Sequence, residues 1–235
     1  MPAVFVTATG TDIGKTFVTA GLAIHLRQQG RKVAILKPVL SGFDATDAAA
    51  SDPALLLQAL DQGLSLEPGN GPSLAAIAAI SPWRFAAPLS PDMAARREGR
   101  AIDFADLLAF CRKAVETADD VLLIEGIGGL MVPLTTGATV LDLVEALQIV
   151  PILVAGTYVG SLSHTLSAIE VLERRAIRLG ALVLNETPGS AASPEETAES
   201  LRNFYRAPPI LTFRRGAAPE NADSFGQLAD LLLPA

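Results

Sequence analysis

Short apolar runs alternate with longer amphipathic stretches along this chain. The short runs fall at 3–7, 32–37, 121–125, 151–155, 181–185 and 209–213. Each is apolar at successive positions, so both faces of such a strand would be buried, as in a parallel sheet covered on both sides. Between them, helical spacing marks 15–29, 53–62, 104–117, 140–148, 163–178 and 194–205. The first helix carries Val18, Leu22 and Leu26 on one stripe, ends in the solvated Arg27, Gln28 and Gln29, and meets its stop at Gly30. Segments 61–71 and 216–223 read as loops too short to separate domains. The pattern predicts one α/β domain over 1–235, a doubly wound, mainly parallel sheet with helices on both faces.

In such a sheet, ligands sit at the carboxyl ends of the strands. Three polar residues stand there: Lys37 ends the second run, Glu125 the third and Asn185 the fifth. Directly behind the first run lies TATGTDIGKTF, residues 7–17, which closes in Gly14-Lys15-Thr16. Consecutive backbone N–H groups at a helix start, aided by the helix dipole, make an anion site. In a phosphate loop Gly14 lets the main chain approach the phosphates, Lys15 supplies a cation to the β/γ oxygens and Thr16 offers a hydroxyl to Mg²⁺. The motif usually opens with glycine where Ala8 stands, but a position with negative φ accepts alanine. Strand before, helix after and correct spacing favour this reading over a chance turn, so the fold expected is P-loop NTPase-like.

Composition narrows the partners. Of 235 residues, half are apolar and 18% are charged, with 25 acidic against 18 basic side chains. That acidic balance argues against nucleic acid or an anionic membrane as partner. No apolar run is long enough to span a bilayer. The first apolar residues pass straight into the glycine-rich loop and read as a strand, not a signal peptide. Cys111 is the only cysteine, which excludes an internal disulfide and suits a buried thiol. A cytoplasmic, soluble protein is expected.

Mg²⁺ takes hard oxygen ligands, usually one or two carboxylates beside phosphates. Glu125, in VLLIEGIGG, closes a buried run and opens onto Gly126, Ile127 and Gly128. An acid there needs a cation beside it, so it reads as a metal carboxylate; capping the next turn is the plainer alternative. Asp52, before Pro53 and a leucine-rich helix, reads from its own neighbours as a helix cap. Lys37, in AILKPVLSG, either meets an anion at the sheet edge or snorkels to solvent. Neither His25 nor His164 is needed as a base; His164 could orient the turn that precedes it.

The blocks GTDIGKTF, KPVLSG, SDPALLL, FAAPLSPDMAARREGR, LLIEGIGGLMVPL and GSLSH, in this order over about residues 4–186, resemble the dethiobiotin synthetases. The resemblance implies a P-loop homodimer that closes a ureido ring on diaminopelargonate with CO₂ and Mg-ATP. By position, Asp12, Ile13, Gly14, Lys15, Thr16 and Phe17 would hold the triphosphate, and Thr16, Asp52 and Glu125 the Mg²⁺. Lys37, with Lys15, would be catalytic. Gly126, Ile127 and Gly128 would complete the nucleotide site, and Asn185 with Glu186 would meet the base. Thr11 and Ser41 would contact substrate, while Gly160, Ser161, Leu162 and Ser163 would receive its carboxylate across the dimer. The chain departs from the family at Ala8, at Asp12 where glutamate is usual, and in ILTFRRGAAPEN, which lacks the usual base-pocket block.

Two rivals share the loop. A partitioning ATPase of the deviant Walker type carries a signature lysine four residues before Gly14, where this chain has Gly10. A cobyrinate-type amide synthetase needs a glutaminase domain with a catalytic cysteine, which neither the length nor Cys111 supplies. A plain nucleotide-binding regulator is the third reading, and the response of nucleotide hydrolysis to the diamine acid separates them.

Overall fold

The structure is a computed structural model and describes residues 2–61, 71–205, 209–215 and 221–233. Its strands are β1 (Ala3–Ala8), β2 (Val33–Leu36), β3 (Val39–Ser41), β4 (Trp83–Phe85), β5 (Val121–Glu125), β6 (Val150–Gly156), β7 (Ala181–Asn185) and β8 (Ile210–Phe213). Its helices are α1 (Lys15–Gln28), α2 (Asp52–Asp61), α3 (Leu74–Ile80), α4 (Pro91–Arg97), α5 (Phe104–Thr117), α6 (Val140–Leu147), α7 (Ser161–Arg174), α8 (Pro194–Arg202) and α9 (Ala222–Leu232). A six-stranded sheet runs in the order β2-β5-β1-β6-β7-β8, and every pairing in it is parallel.

Successive residues of a strand point to opposite faces, and the core divides accordingly. Val4, Val6 and Ala8 of β1 pack with Val18, Leu22 and Leu26 of α1, Leu56 of α2 and Phe225 and Leu228 of α9. Ala3 and Phe5, pointing the other way, join Leu107 and Cys111 of α5 and Leu143 and Val144 of α6. Farther along the same face, Leu153, Leu182 and Leu184 pack beneath Ile169 and Leu172 of α7 and Leu201 of α8. The sheet is therefore doubly wound, as the unbroken apolar runs require.

Several short elements add to the sequence reading. Strands β3 and β4 pair in parallel as a separate small sheet beyond the edge strand β2, and α3 and α4 flank them. Pro38 lacks an N–H and separates β2 from β3. Helix α7 begins at Ser161, not residue 163, because Gly160, with φ 95°, already turns the chain into it. The expected tail loop at 216–223 is corrected at its end, where Ala222 starts α9; residues 216–220 lie outside the described residues. Most of the other expected loop, 62–70 within 61–71, lies outside them too, as does Gln62 of the expected helix.

Candidate active site

Register brings the site together. Leu36 of β2 pairs with Ile124 of β5, and Val6 of β1 pairs with Glu125. The next residue of the β2 chain, Lys37, therefore leaves the sheet beside Glu125. Two residues past Val6, Ala8 ends β1 and the loop 9–14 begins. Ala8 is itself a sheet residue, paired with Val154 and fully buried, which explains why alanine serves there.

The loop closes on Gly14, whose φ of 92° and ψ of 30° are left-handed and whose carbonyl accepts from Val18 as α1 begins. Any Cβ there would also lie 2.5 Å from Asn185 Nδ2. Behind the loop, a Cβ on Gly129 would stand 3.2 Å from the Thr9 carbonyl, so glycine lets the turn after β5 pack directly on the loop backbone. Asp12 also adopts positive φ, 56°, a region where aspartate is enriched among non-glycine residues.

Four side chains meet at the strand ends. Lys37 Nζ, 2% exposed, donates to Glu125 Oε1 at 2.6 Å, lies 2.9 Å from Asp52 Oδ2 and approaches the Gly126 carbonyl at 3.4 Å. Thr16 Oγ1 donates to the same Glu125 oxygen at 2.9 Å. Glu125 is fully buried, and its Oε2 has no partner. Lys15 Nζ donates to the Gly10 carbonyl at 3.1 Å, folded back over its own loop. Asp52 is not a cap: α2 starts at Asp52 itself, and its carboxylate turns to Lys37. Lys37 does not snorkel; it is buried between two acids.

The electrostatics follow from this packing. Burial pulls the Lys37 ammonium downward, but Glu125 and Asp52 together outweigh it and raise its pKa above the ordinary value. Burial would lift the Asp52 carboxyl, yet the Lys37 ion pair, helped by the Thr16 hydroxyl, holds it below the usual carboxylate range. Lys15 has no acid in direct contact. Burial first, and the charge of Lys37 second, push it down from 10.5 to about 8. A lysine held low in the fold costs stability while charged: the cost is fully present below about pH 8 and is relieved as pH rises from there toward 10.5. Cys111, by contrast, is a buried thiol that burial alone pushes up to about 12, and it takes no part in the site.

A cavity of about 760 Å³ opens over these groups. Thr11, Asp12, Gly14, Lys15 and Thr16 form its loop wall, Lys37, Ser41 and Asp52 its floor, and Ile127 and Gly128 an edge. The size suits a nucleotide phosphate tail with a small molecule beside it. Leu40, Leu89, Ser90 and Val132 also line it and had no assigned role in the sequence. The signal for Ser90 was available: Ser90 followed by Pro91 is a helix start, here that of α4.

The remaining candidates lie elsewhere. Ile13 faces a second cavity of about 380 Å³ on the far flank of the loop, which Tyr158 and His164 also line. Gly160, Ser161, Leu162 and Ser163 start α7 and are not on the wall of the larger cavity of their own chain. His164 Nδ1 and Tyr158 OH are 2.8 Å apart, which fixes that turn. Phe17 packs edge-on to Phe213 and tilted to Phe225 instead of facing the cavity. Asn185 bonds the loop backbone from behind, and Glu186 accepts from the Arg215 amide at 2.9 Å.

The oxygens present fit a divalent ion. The Glu125 and Asp52 carboxylates already flank one cation, the Lys37 ammonium, and the Thr16 hydroxyl donates to Glu125 beside them; these are the hard ligands that Mg²⁺ takes beside phosphate oxygens. Among the described residues no group of three or more His, Cys, Asp or Glu converges, so a metal held by protein alone has no site there.

A family model described as an AAA domain matches residues 2–213. The ATP-dependent dethiobiotin synthetase BioD of Methylobacterium nodulans is 46% identical over 224 residues, which is 93% of this chain and 96% of that protein. The protein of the same description from Caulobacter sp. strain K31 is 43% identical over 236 residues, covering 100% of this chain and 96% of its own. Among solved structures, the septum site-determining protein MinD complexed with Mg-ADP from Pyrococcus horikoshii gives a TM-score of 0.55 at 19% identity, over 99% of this chain and 96% of that one. At that identity the likeness is one of fold: a P-loop NTPase-like parallel sheet. Sequence, fold and the four-residue cluster at the strand ends agree, and the chain belongs to the AAA domain family matched here and, within it, to the ATP-dependent dethiobiotin synthetases.

Proposed function

We propose that this protein is an ATP-dependent cyclo-ligase that converts diaminopelargonate and CO₂ into dethiobiotin. One amine takes up CO₂ as a carbamate. A carbamate oxygen attacks the γ-phosphorus and ADP leaves; the second amine then attacks the carbonyl carbon and expels phosphate, which closes the ureido ring. The observation that carries this reading is that two buried lysines, Lys15 and Lys37, share one cavity with Thr16 and Ser41 at the mouth of the loop.

The chain's own part is positioning and charge. Amides at the start of α1 and Lys15 receive the β/γ phosphates. Lys37, held between the two acids, lines the same cavity and would hold carbamate and transferring phosphoryl group together, and Ser41 of β3 lines it too. Lys37 is already balanced by Asp52 and Glu125, which leaves Lys15 alone against a triphosphate that carries several negative charges. Mg²⁺ held by Thr16, Asp52 and Glu125 would supply that compensation at the β/γ oxygens. Helix α7 of a second copy would offer Gly160, Ser161, Leu162 and Ser163 to the substrate carboxylate. In support, Val159 and Leu162 beside that turn are 100% and 37% exposed, which leaves apolar surface for a homodimer.

The test is ADP release with bicarbonate, with and without the diamine acid. Diamine-dependent release with dethiobiotin as product is expected. Hydrolysis indifferent to the diamine but stimulated by DNA or membrane would turn the reading toward a partitioning ATPase, for which Gly10 is the wrong residue.

A further inference from the structure

Asn185 ends β7 with its two polar atoms in different circumstances. Nδ2 donates to the Ile13 carbonyl at 2.8 Å and to the Gly14 carbonyl at 3.3 Å. Oδ1 is buried without a partner, and the residue as a whole is 8% exposed. Strand β6 lies between β7 and β1 in the sheet, so the amide reaches across one strand to grip the loop that leaves another.

In a planar trans peptide the carbonyl oxygen and the amide hydrogen point in opposite directions. Two carbonyls turned toward Asn185 therefore turn the next two amides, those of Gly14 and Lys15, away from it, and both residues lie on the wall of the large cavity. These amides open α1, where an anion would be received. The loop also holds Asp12 at φ 56°, a conformation that persists only when its surroundings impose it. Packing is tight at the grip itself, where only a glycine at position 14 leaves room for Nδ2.

We propose that Asn185 is a positioning residue for the phosphate loop: it presets the Gly14 and Lys15 amides before any nucleotide arrives, whatever its Oδ1 does with a base. The proposal rests on the reading of this loop as the ATP site. Because the effect runs through peptide planes and not through the base, it should be felt by a ligand that has no base at all.

Inorganic tripolyphosphate is that probe. Its affinity is measured by calorimetry in the presence of Mg²⁺ for the wild-type protein, Asn185→Ala and Asn185→Asp, with ATP in parallel. The aspartate variant keeps the side-chain shape but sets an oxygen against two carbonyls, so it carries the test should the alanine variant fail to fold. Tripolyphosphate binding is expected to weaken roughly tenfold in either variant, the factor that corresponds to losing about one net hydrogen bond of preorganisation, and ATP binding at least as much. Amide hydrogen exchange at residues 14–16 of the ligand-free variants is expected to quicken. Unchanged tripolyphosphate affinity with weakened ATP would overturn the proposal and leave Asn185 a base contact alone. Failure of the wild-type protein to bind either ligand would overturn the ATP reading itself.

Discussion

Lys37→Met removes one ammonium and little volume, which makes it the sharpest perturbation of the site. In the wild-type protein that ammonium contacts Glu125 Oε1 at 2.6 Å and Asp52 Oδ2 at 2.9 Å. Asp52 is half-buried and can turn to water, but Glu125 is fully buried and one of its oxygens is already without a partner. Removing one member of a buried pair costs about 3–5 kcal/mol because the other charge stays behind. With Thr16 still donating to Glu125, the lower end applies. A loss of about 3 kcal/mol in a chain of this size lowers the melting temperature by roughly 10 °C. The loss should shrink in the double variant Lys37→Met/Glu125→Gln, where no buried charge is stranded.

Turnover responds separately. A preorganised cation at a transferring group is worth about 10²–10³ in rate, so diamine-dependent ADP release should fall at least that far in both the single and the double variant. Nucleotide binding should survive in the single variant, since Lys15, the loop amides and the acids are untouched. Calorimetric melting, ATP binding and ADP release on the same preparations read all three. Turnover within tenfold of wild type would remove Lys37 from the chemistry; an unchanged melting temperature would refute the buried Lys37–Glu125 pair.

Lys15, pushed down to about 8, must be charged to hold a phosphate. Tripolyphosphate binding above pH 8 should therefore be accompanied by net proton uptake, read by calorimetry in buffers of different ionisation enthalpy, and affinity should fall as pH rises above about 8; binding without proton uptake would contradict the buried ammonium with no acid beside it. With Nδ2 of Asn185 committed to the loop, only the acceptor Oδ1 is left for a base. ITP, which has a carbonyl in place of the amino group of ATP, should bind roughly tenfold less well, a gap that Asn185→Ala closes; equal affinities in the wild-type protein would count against that contact. Cys111, buried and pushed up to about 12, should react with a thiol reagent only after unfolding; rapid labelling of the native protein would show the α5 face to be open.

How far the sequence carried depended on the range over which each signal acts. The strands of the large sheet were legible because a run such as Val121–Ile124 with no polar position has no solvated face to offer. Strands β3 and β4, of three residues each, are too short to show a period, and among the described residues they pair only with each other. Helix α9 stayed hidden behind a glycine- and proline-bearing tail, although Phe225, Leu228 and Ala229 supply a buried stripe. Within the site, Lys37 and Glu125 could be placed at the same sheet edge from strand ends alone, but their contact is a matter of register.

Asp52 and Asn185 mark the limit from opposite sides. Asp52 sits in a local setting that suits a cap, and tertiary structure overrides it because an ion pair with a buried lysine outweighs one capping bond. Asn185 offers no local signal for its contact, since the carbonyls it holds are 172 and 171 residues away. Yet the two residues serve the same end. A phosphate loop at the end of β1 leaves its amides free to adopt many arrangements, and neither glycine nor helix start selects one. Asn185 fixes the loop from behind through its carbonyls, while the acids, with Asp52 from α2 among them, fix Lys37 from the front. The selectivity of the site for one geometry therefore resides in residues outside the motif that identifies it, which is why the motif alone is compatible with synthetase, switch and regulator.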